Sequence, residues 1–195
     1  MARLVSLISV LLMTAVVGSA SSPQPLEVVP SVDYLRYAGR WYEVARLPNR
    51  FQNQCVGEVV ASYSLLETDR LKVVNECRQS NGQMSRAEGV ARLADKRGPK
   101  SKLKVRFAPA WLSWLPAVWG DYWVIDLAAD YSFSVVGTPD RKYLWILSRS
   151  SKMDEGIYQK IVRQVEAKGF DVTRLAKTPQ RPVTAELEPD RAETL

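Results

Sequence analysis

The chain has 195 residues, 46% of them hydrophobic and 25% charged, with a formal net charge of +6; these are the proportions of one soluble globular domain with ends attached. It contains no histidine, which excludes serine–histidine and cysteine–histidine nucleophiles, histidine-ligated zinc and histidine-ligated haem. Its basic residues are scattered and form no nucleic-acid motif, so the charge reads as a solvated surface, with anionic lipid headgroups as a secondary partner.

Arg3 opens the chain, Leu4–Val17 is apolar apart from Ser6, Ser9 and Thr14, and Gly18-Ser19-Ala20 supplies small residues. Residues 1–20 therefore read as a secretory signal cut near Ala20. The apolar run is shorter than the ~20 residues of a membrane span, and an uncleaved anchor is the alternative. No lipid-attachment cysteine follows the run. Residues 21–31, with Pro23, Pro25 and Pro30, form an extended linker. The domain is expected over 32–178, and the polar stretch 179–195 reads as a disordered tail.

Short strands with turn signals fill the domain. They are expected at Trp41–Leu47, Val56–Leu66, Leu71–Arg78, Arg86–Ala94, Lys102–Phe107, Tyr122–Leu127, Tyr131–Gly137 and Tyr143–Ser148. Asn81-Gly82 is a hairpin turn. In Lys102–Phe107, Leu103, Val105 and Phe107 alternate with Lys102, Lys104 and Arg106, so one face is buried and one wet. Between the fifth and sixth strands lies Pro109–Trp119, PAWLSWLPAVW, whose two prolines oppose a regular helix or a central strand. One helix follows the strands. Ser151 is its expected cap, with Asp154 in a weak capping box, and Ile157, Ile161 and Val165 form its apolar stripe. Gly169 suits the position after its end, and a last short strand is expected at Asp171–Leu175. Eight consecutive antiparallel strands favour closure into an up-and-down β-barrel, the all-β fold expected here, with the helix packed outside.

Three stretches resemble the signatures of the lipocalin family, in order. Gly39-Arg40-Trp41 resembles its Gly-x-Trp motif on the first strand, with Tyr34-Leu35 suiting the short helical turn that plugs the barrel base. Ala129-Asp130-Tyr131 is similar to its second motif, with alanine in place of the usual threonine. Tyr143–Arg149 resembles its third, ending on arginine. The likeness spans 32–178 and is strongest to bacterial outer-membrane lipocalins and apolipoprotein D-like members. It implies a barrel whose interior holds side chains or one small ligand, lipocalins being the standard instance of that size. It also implies a lipid-handling role near a membrane. Independently of the family, Trp41 is a large apolar body with one N–H to satisfy, and Arg149 suits a cation–π partner over its face. Gly39, Trp41, Asp130, Tyr131 and Arg149 are therefore read as structural.

Cys55 and Cys77 are a pair in an exported chain, which favours a disulfide. Simple register sets Cys77 opposite Val59, so a bulge near Gly57 has to close the gap. The cavity candidates are Glu43 and Ala45 on the first strand, Leu103, Val105 and Phe107 on the fifth, and Tyr143, Trp145 and Leu147 on the eighth; core filling is the alternative for each apolar member. An inward carboxylate at Glu43 needs a partner, either a ligand head or a tyrosine. In a meander barrel alternate connections share an end, so the tryptophan loop with Trp111 and Trp114 falls at the open mouth. There it suits a portal wall, a bilayer contact or a homodimer interface, unless it folds inward as a plug.

The expected function is binding and transport or storage of small hydrophobic ligands, with fatty acids and lysophospholipids implied by the resemblance. The expected location is periplasmic or secreted, with outer-membrane association in view. No catalysis, cofactor, metal or nucleic acid is expected. The rivals are a lipid-modifying enzyme using Glu43 as base and a protein-interaction module using the mouth loop.

Overall fold

The computed structural model describes residues 24–67 and 69–180. The signal segment 1–20 and the tail beyond 180 lie outside the described residues. Eight antiparallel strands run in meander order: β1 Gly39–Arg46, β2 Cys55–Glu67, β3 Arg70–Gln79, β4 Met84–Leu93, β5 Lys102–Arg106, β6 Gly120–Leu127, β7 Phe133–Gly137 and β8 Leu144–Ser148. Each pairs with the next, and β1 pairs with both β8 and β2, which closes the sheet into a barrel. The inward residues follow the period-two pattern of the sequence, because directly opposed residues share a face.

Closure is uneven. β1 meets β2 only over Gly39–Tyr42 against Tyr63–Val60, so the two strands splay toward the mouth. A two-residue strand, β9 (Ala176–Lys177), pairs with β1 on that side. Beyond it Thr178 N donates to Val44 O, Pro179 O accepts from Glu58 N, and Gln180 Nε2 donates to the carbonyls of Glu43 and Val59. The chain thus fills its own seam. Two expectations change here. Asp171–Leu175 is not a strand: Asp171 caps a 3-10 turn over Val172–Arg174, and pairing begins at Ala176. Pro179 and Gln180 also join the barrel because the splayed β1–β2 edges leave backbone groups that need partners.

A four-residue helix, α1 (Tyr34–Tyr37), plugs the other end. The outer helix, α2, spans Glu155–Ala167 and is capped by Asp154, whose carboxylate accepts from Ile157 N at 3.0 Å; Ser151 is not the cap. Its buried face is Tyr158, Ile161 and Val165, spaced i, i+3, i+7, and Ile157 is exposed at the edge. Gly169 follows at φ +86, the left-handed conformation that ends helices. Two large apolar clusters form among the described residues, beside a small one of Cys55, Val59 and Cys77. One fills the lower barrel around Trp41, Leu71, Leu103, Val124 and Val136. The other seals α2 against the outer faces of Val135, Leu144 and Ile146. Leu26, from the expected linker, joins the outer cluster, and Val29 N donates to Val124 O.

Candidate functional site

The closed end is built by the motif residues. Asp33 caps α1 by accepting from Leu35 N at 2.9 Å, and its own N–H donates to the Tyr131 hydroxyl. Arg36 stacks on the Tyr131 ring at 4.0 Å and donates to Ala129 O, which clamps the β6–β7 turn to α1. In that turn Asp130 accepts from Ser132 N at 2.9 Å, and hydrogen bonding from Ser132 holds its carboxyl below the usual aspartate range. Trp41 is fully buried and its indole N–H donates to Tyr37 O at 2.8 Å. The Arg149 guanidinium lies 3.8 Å from its ring centroid and donates to the carbonyls of Arg40, Arg36 and Tyr37. Gly39 sits at φ +96, where a Cβ would stand 3.2 Å from Arg149 Nη1. These five motif residues form one seal.

Above the seal four hydroxyls make a chain across the lumen. Ser134 Oγ is 3.0 Å from Tyr37 Oη, which is 2.9 Å from Tyr122 Oη, itself 2.8 Å from Tyr63 Oη. The chain links β7, α1, β6 and β2. Burial pushes all three phenols up from the ordinary tyrosine value, so they stay neutral.

Nearer the mouth the inward-facing residues no longer bury one another. Val105, Tyr122 and Trp145 pack on the lower core yet keep partial exposure. Asn75, opposite Ala61 on β2, is half-buried, and Ala87, opposite Asn75 on β4, is exposed. Inward residues that remain accessible mark a solvent-reached lumen. Phe51 lies 5.4 Å from Tyr143, and Tyr143 stacks on Trp145 at 6.0 Å, so an aromatic ladder descends from the β1–β2 loop. Tyr143 and Trp145 thus lie together, and Phe107 joins the mouth at 42% exposure.

Ala45 does not join them. The β1–β8 register shifts between Glu43 and Ala45, which turns Ala45 outward into the cluster with Ile146 and Ile161 and turns Arg46 inward. Strand parity holds only while the register does. Glu43 is buried, and its partners are not tyrosines. Its Oε1 accepts from Arg46 Nη1 and Thr178 Oγ1, both at 2.5 Å, and its Oε2 accepts from Gln52 Nε2 at 2.7 Å. Gln52 Oε1 accepts in turn from Trp145 Nε1 and Asn49 Nδ2. Arg46 also donates to Cys55 O at 3.2 Å. The carboxylate is a node joining β1, the β1–β2 loop and the C-terminal segment.

Cys55 and Cys77 are bonded, with Cα atoms 5.5 Å apart. The register of β2 on β3 shifts on both sides of Gly57, setting Cys55 opposite Gln79, and that irregularity closes the gap. The tryptophan loop contains two 3-10 turns, Ala110–Leu112 and Pro116–Val118. Trp111 and Trp114 are each 74% exposed, so the loop is not an inward plug. Trp119 anchors it: its ring stacks with Arg92 at 4.0 Å and Arg106 at 5.3 Å, and its N–H donates to Ser113 O.

Sequence reasoning missed Tyr37, Tyr63 and Tyr122, Glu43's partners Arg46, Gln52 and Thr178, and the anchor at Trp119. Tyr122 was findable, since it alternates with Val124 on an inward face; Thr178 carried no local signal.

A lipocalin-like domain model matches residues 32–180. The chain is 42% identical over 156 residues to temperature-induced lipocalin-1 of Arabidopsis thaliana, covering 80% of this chain and 83% of that protein. It is 34% identical over 176 residues to the outer membrane lipoprotein Blc of Escherichia coli K12, covering 88% and 94%. Among solved structures, insecticyanin from the tobacco hornworm Manduca sexta superposes with a TM-score of 0.62 at 20% identity, covering 84% of this chain and 87% of that one.

Proposed function

The chain belongs to the lipocalin family, and we propose that it is a carrier that holds small hydrophobic ligands, fatty acids and lysophospholipids among them, in its lumen. The observation that carries this reading is the set of inward-facing residues that retain accessibility inside a closed barrel, Tyr122 in the hydroxyl chain and Ala87, Val105 and Trp145 above it. An acyl chain laid against this wall is driven in by about 25 cal/mol per Å² of apolar surface removed from water. The likeness to an envelope lipoprotein and the signal-like leader support export to the periplasm or medium.

Trp111 and Trp114 at the mouth suit contact with a bilayer interface, where indoles are favoured, and the positive net charge suits anionic headgroups. Catalysis by Glu43 finds no support in its setting: Arg46, Thr178 and Gln52 already occupy the carboxylate, which fits a structural node rather than a base. Native mass spectrometry of the delipidated protein, titrated with a fatty acid and with lysophosphatidylcholine, tests the carrier reading. One bound lipid per chain is expected; the absence of any adduct with either lipid would overturn it.

A further inference from the structure

The hydroxyl chain under the lumen has a proton left over. Its members Ser134, Tyr37, Tyr122 and Tyr63 are joined by three contacts, and each hydroxyl carries one proton. Three protons serve the links and one points out of the chain. Ser134, Tyr37 and Tyr63 are buried, the last at 5% exposure, whereas Tyr122 retains accessibility on the inward face. Tyr122 also stands in the chain's interior, where it is able to accept from both neighbours while donating its own proton upward. Accepting two bonds polarises a hydroxyl and strengthens it as a donor.

One inward step nearer the mouth than Val73, which pairs with Tyr63, stands Asn75. Its side-chain oxygen is buried without a hydrogen-bond partner among the described residues. The terminal torsion of asparagine is broad, so the amide offers either an acceptor or a donor to a group arriving there. No unpaired cation faces this floor among the described residues. The inward Arg46 is held by Glu43, Thr178 and Cys55, and Arg149 lies beneath Trp41. A buried carboxylate would be stranded at this point, whereas a neutral oxygen would be satisfied.

We infer that the floor of the lumen is a recognition site for an uncharged oxygen, a carbonyl or a hydroxyl, at the inserted end of an apolar ligand, with Tyr122 as its donor and Asn75 beside it. This rests on the reading of the lumen as the ligand site and refines it. Ligands with a charged head enter tail first and leave the head at the mouth; neutral ketones and alcohols enter oxygen first.

Displacement of a lumen-bound fluorescent lipophile tests this with three competitors of equal chain length, a methyl ketone, a primary alcohol and a carboxylic acid at neutral pH. Tyr122→Phe removes the donor and keeps the ring. It should weaken the ketone and alcohol about three- to tenfold, the worth of one hydrogen bond, and leave the acid unchanged. Ser134→Ala shortens the chain from its far end, still leaves one spare proton, and should change all three by less than about twofold. Equal losses for all three ligands in Tyr122→Phe, or no loss, would overturn the inference while leaving the carrier reading intact. Failure of the wild type to bind any competitor or probe would remove the carrier reading itself. Should Tyr122→Phe not fold, the wild type still decides. The ketone should bind at least as tightly as the more hydrophobic alkane of the same length, and weaker binding of the ketone contradicts the proposal.

Discussion

Tyr37, Tyr63 and Tyr122 share one hydrogen-bonded chain, and their ionisation has a definite consequence for stability. A free phenol titrates near 10.0, and burial raises all three in the fold. As the pH climbs through 10 the unfolded chain loses these protons first, so stability falls from there upward and is untouched below. Phenolate absorbance followed with circular dichroism should show these three ionising only as the fold is lost, together with Tyr34 and Tyr158, which burial also raises. Arg149 allows a second prediction. Arg149→Ala removes a cation–π contact and three bonds to carbonyls and should cost about 1–3 kcal/mol in denaturant unfolding. Trp41 and Arg149 were legible in the sequence because a signature pattern brings them together. Ala45 was misread because parity counting fails across an irregular register, and nothing local announces one there.

The tryptophan loop was legible as an exposed apolar element, since two prolines and three indoles leave little else. Its anchoring was not, because Arg92, Arg106 and Trp119 meet only once β4 and β5 pair. The loop's roles therefore separate by residue. Replacing Trp111 and Trp114 with serine should leave the melting temperature within a few degrees, because exposed side chains contribute little to stability, and should weaken sedimentation with anionic vesicles. Unfolding of that variant would show that the indoles hold the barrel together. Trp119→Ala should also weaken vesicle binding, by releasing the loop. At the same mouth the Cys55–Cys77 bond closes a separation of 22 residues, and replacing both with serine should cost about 3 kcal/mol. The outer helix is legible in its apolar spacing but its cap is not: Asp154, not Ser151, meets the free N–H groups, and the buried stripe begins at Tyr158.

The barrel as a whole was legible because alternation, turn residues and three ordered motifs agree on one answer. What local pattern could not supply was the seam. Thr178 reaches Glu43 across 135 positions and Gln180 reaches Val59 across 121, and such pairings exist only after closure. The carrier account depends on the lumen above Tyr122 being the place where lipid sits. Ala87 faces that lumen opposite Asn75 and is exposed, so Ala87→Trp should fill the space without opening the core. The affinity of this variant for lysophosphatidylcholine, measured by native mass spectrometry beside its melting temperature, is the most direct test. The account predicts a loss of about tenfold or more, ~1.4 kcal/mol, with the melting temperature nearly unchanged. Undiminished binding by the folded variant would mean that the lipid lies elsewhere, and would contradict the account.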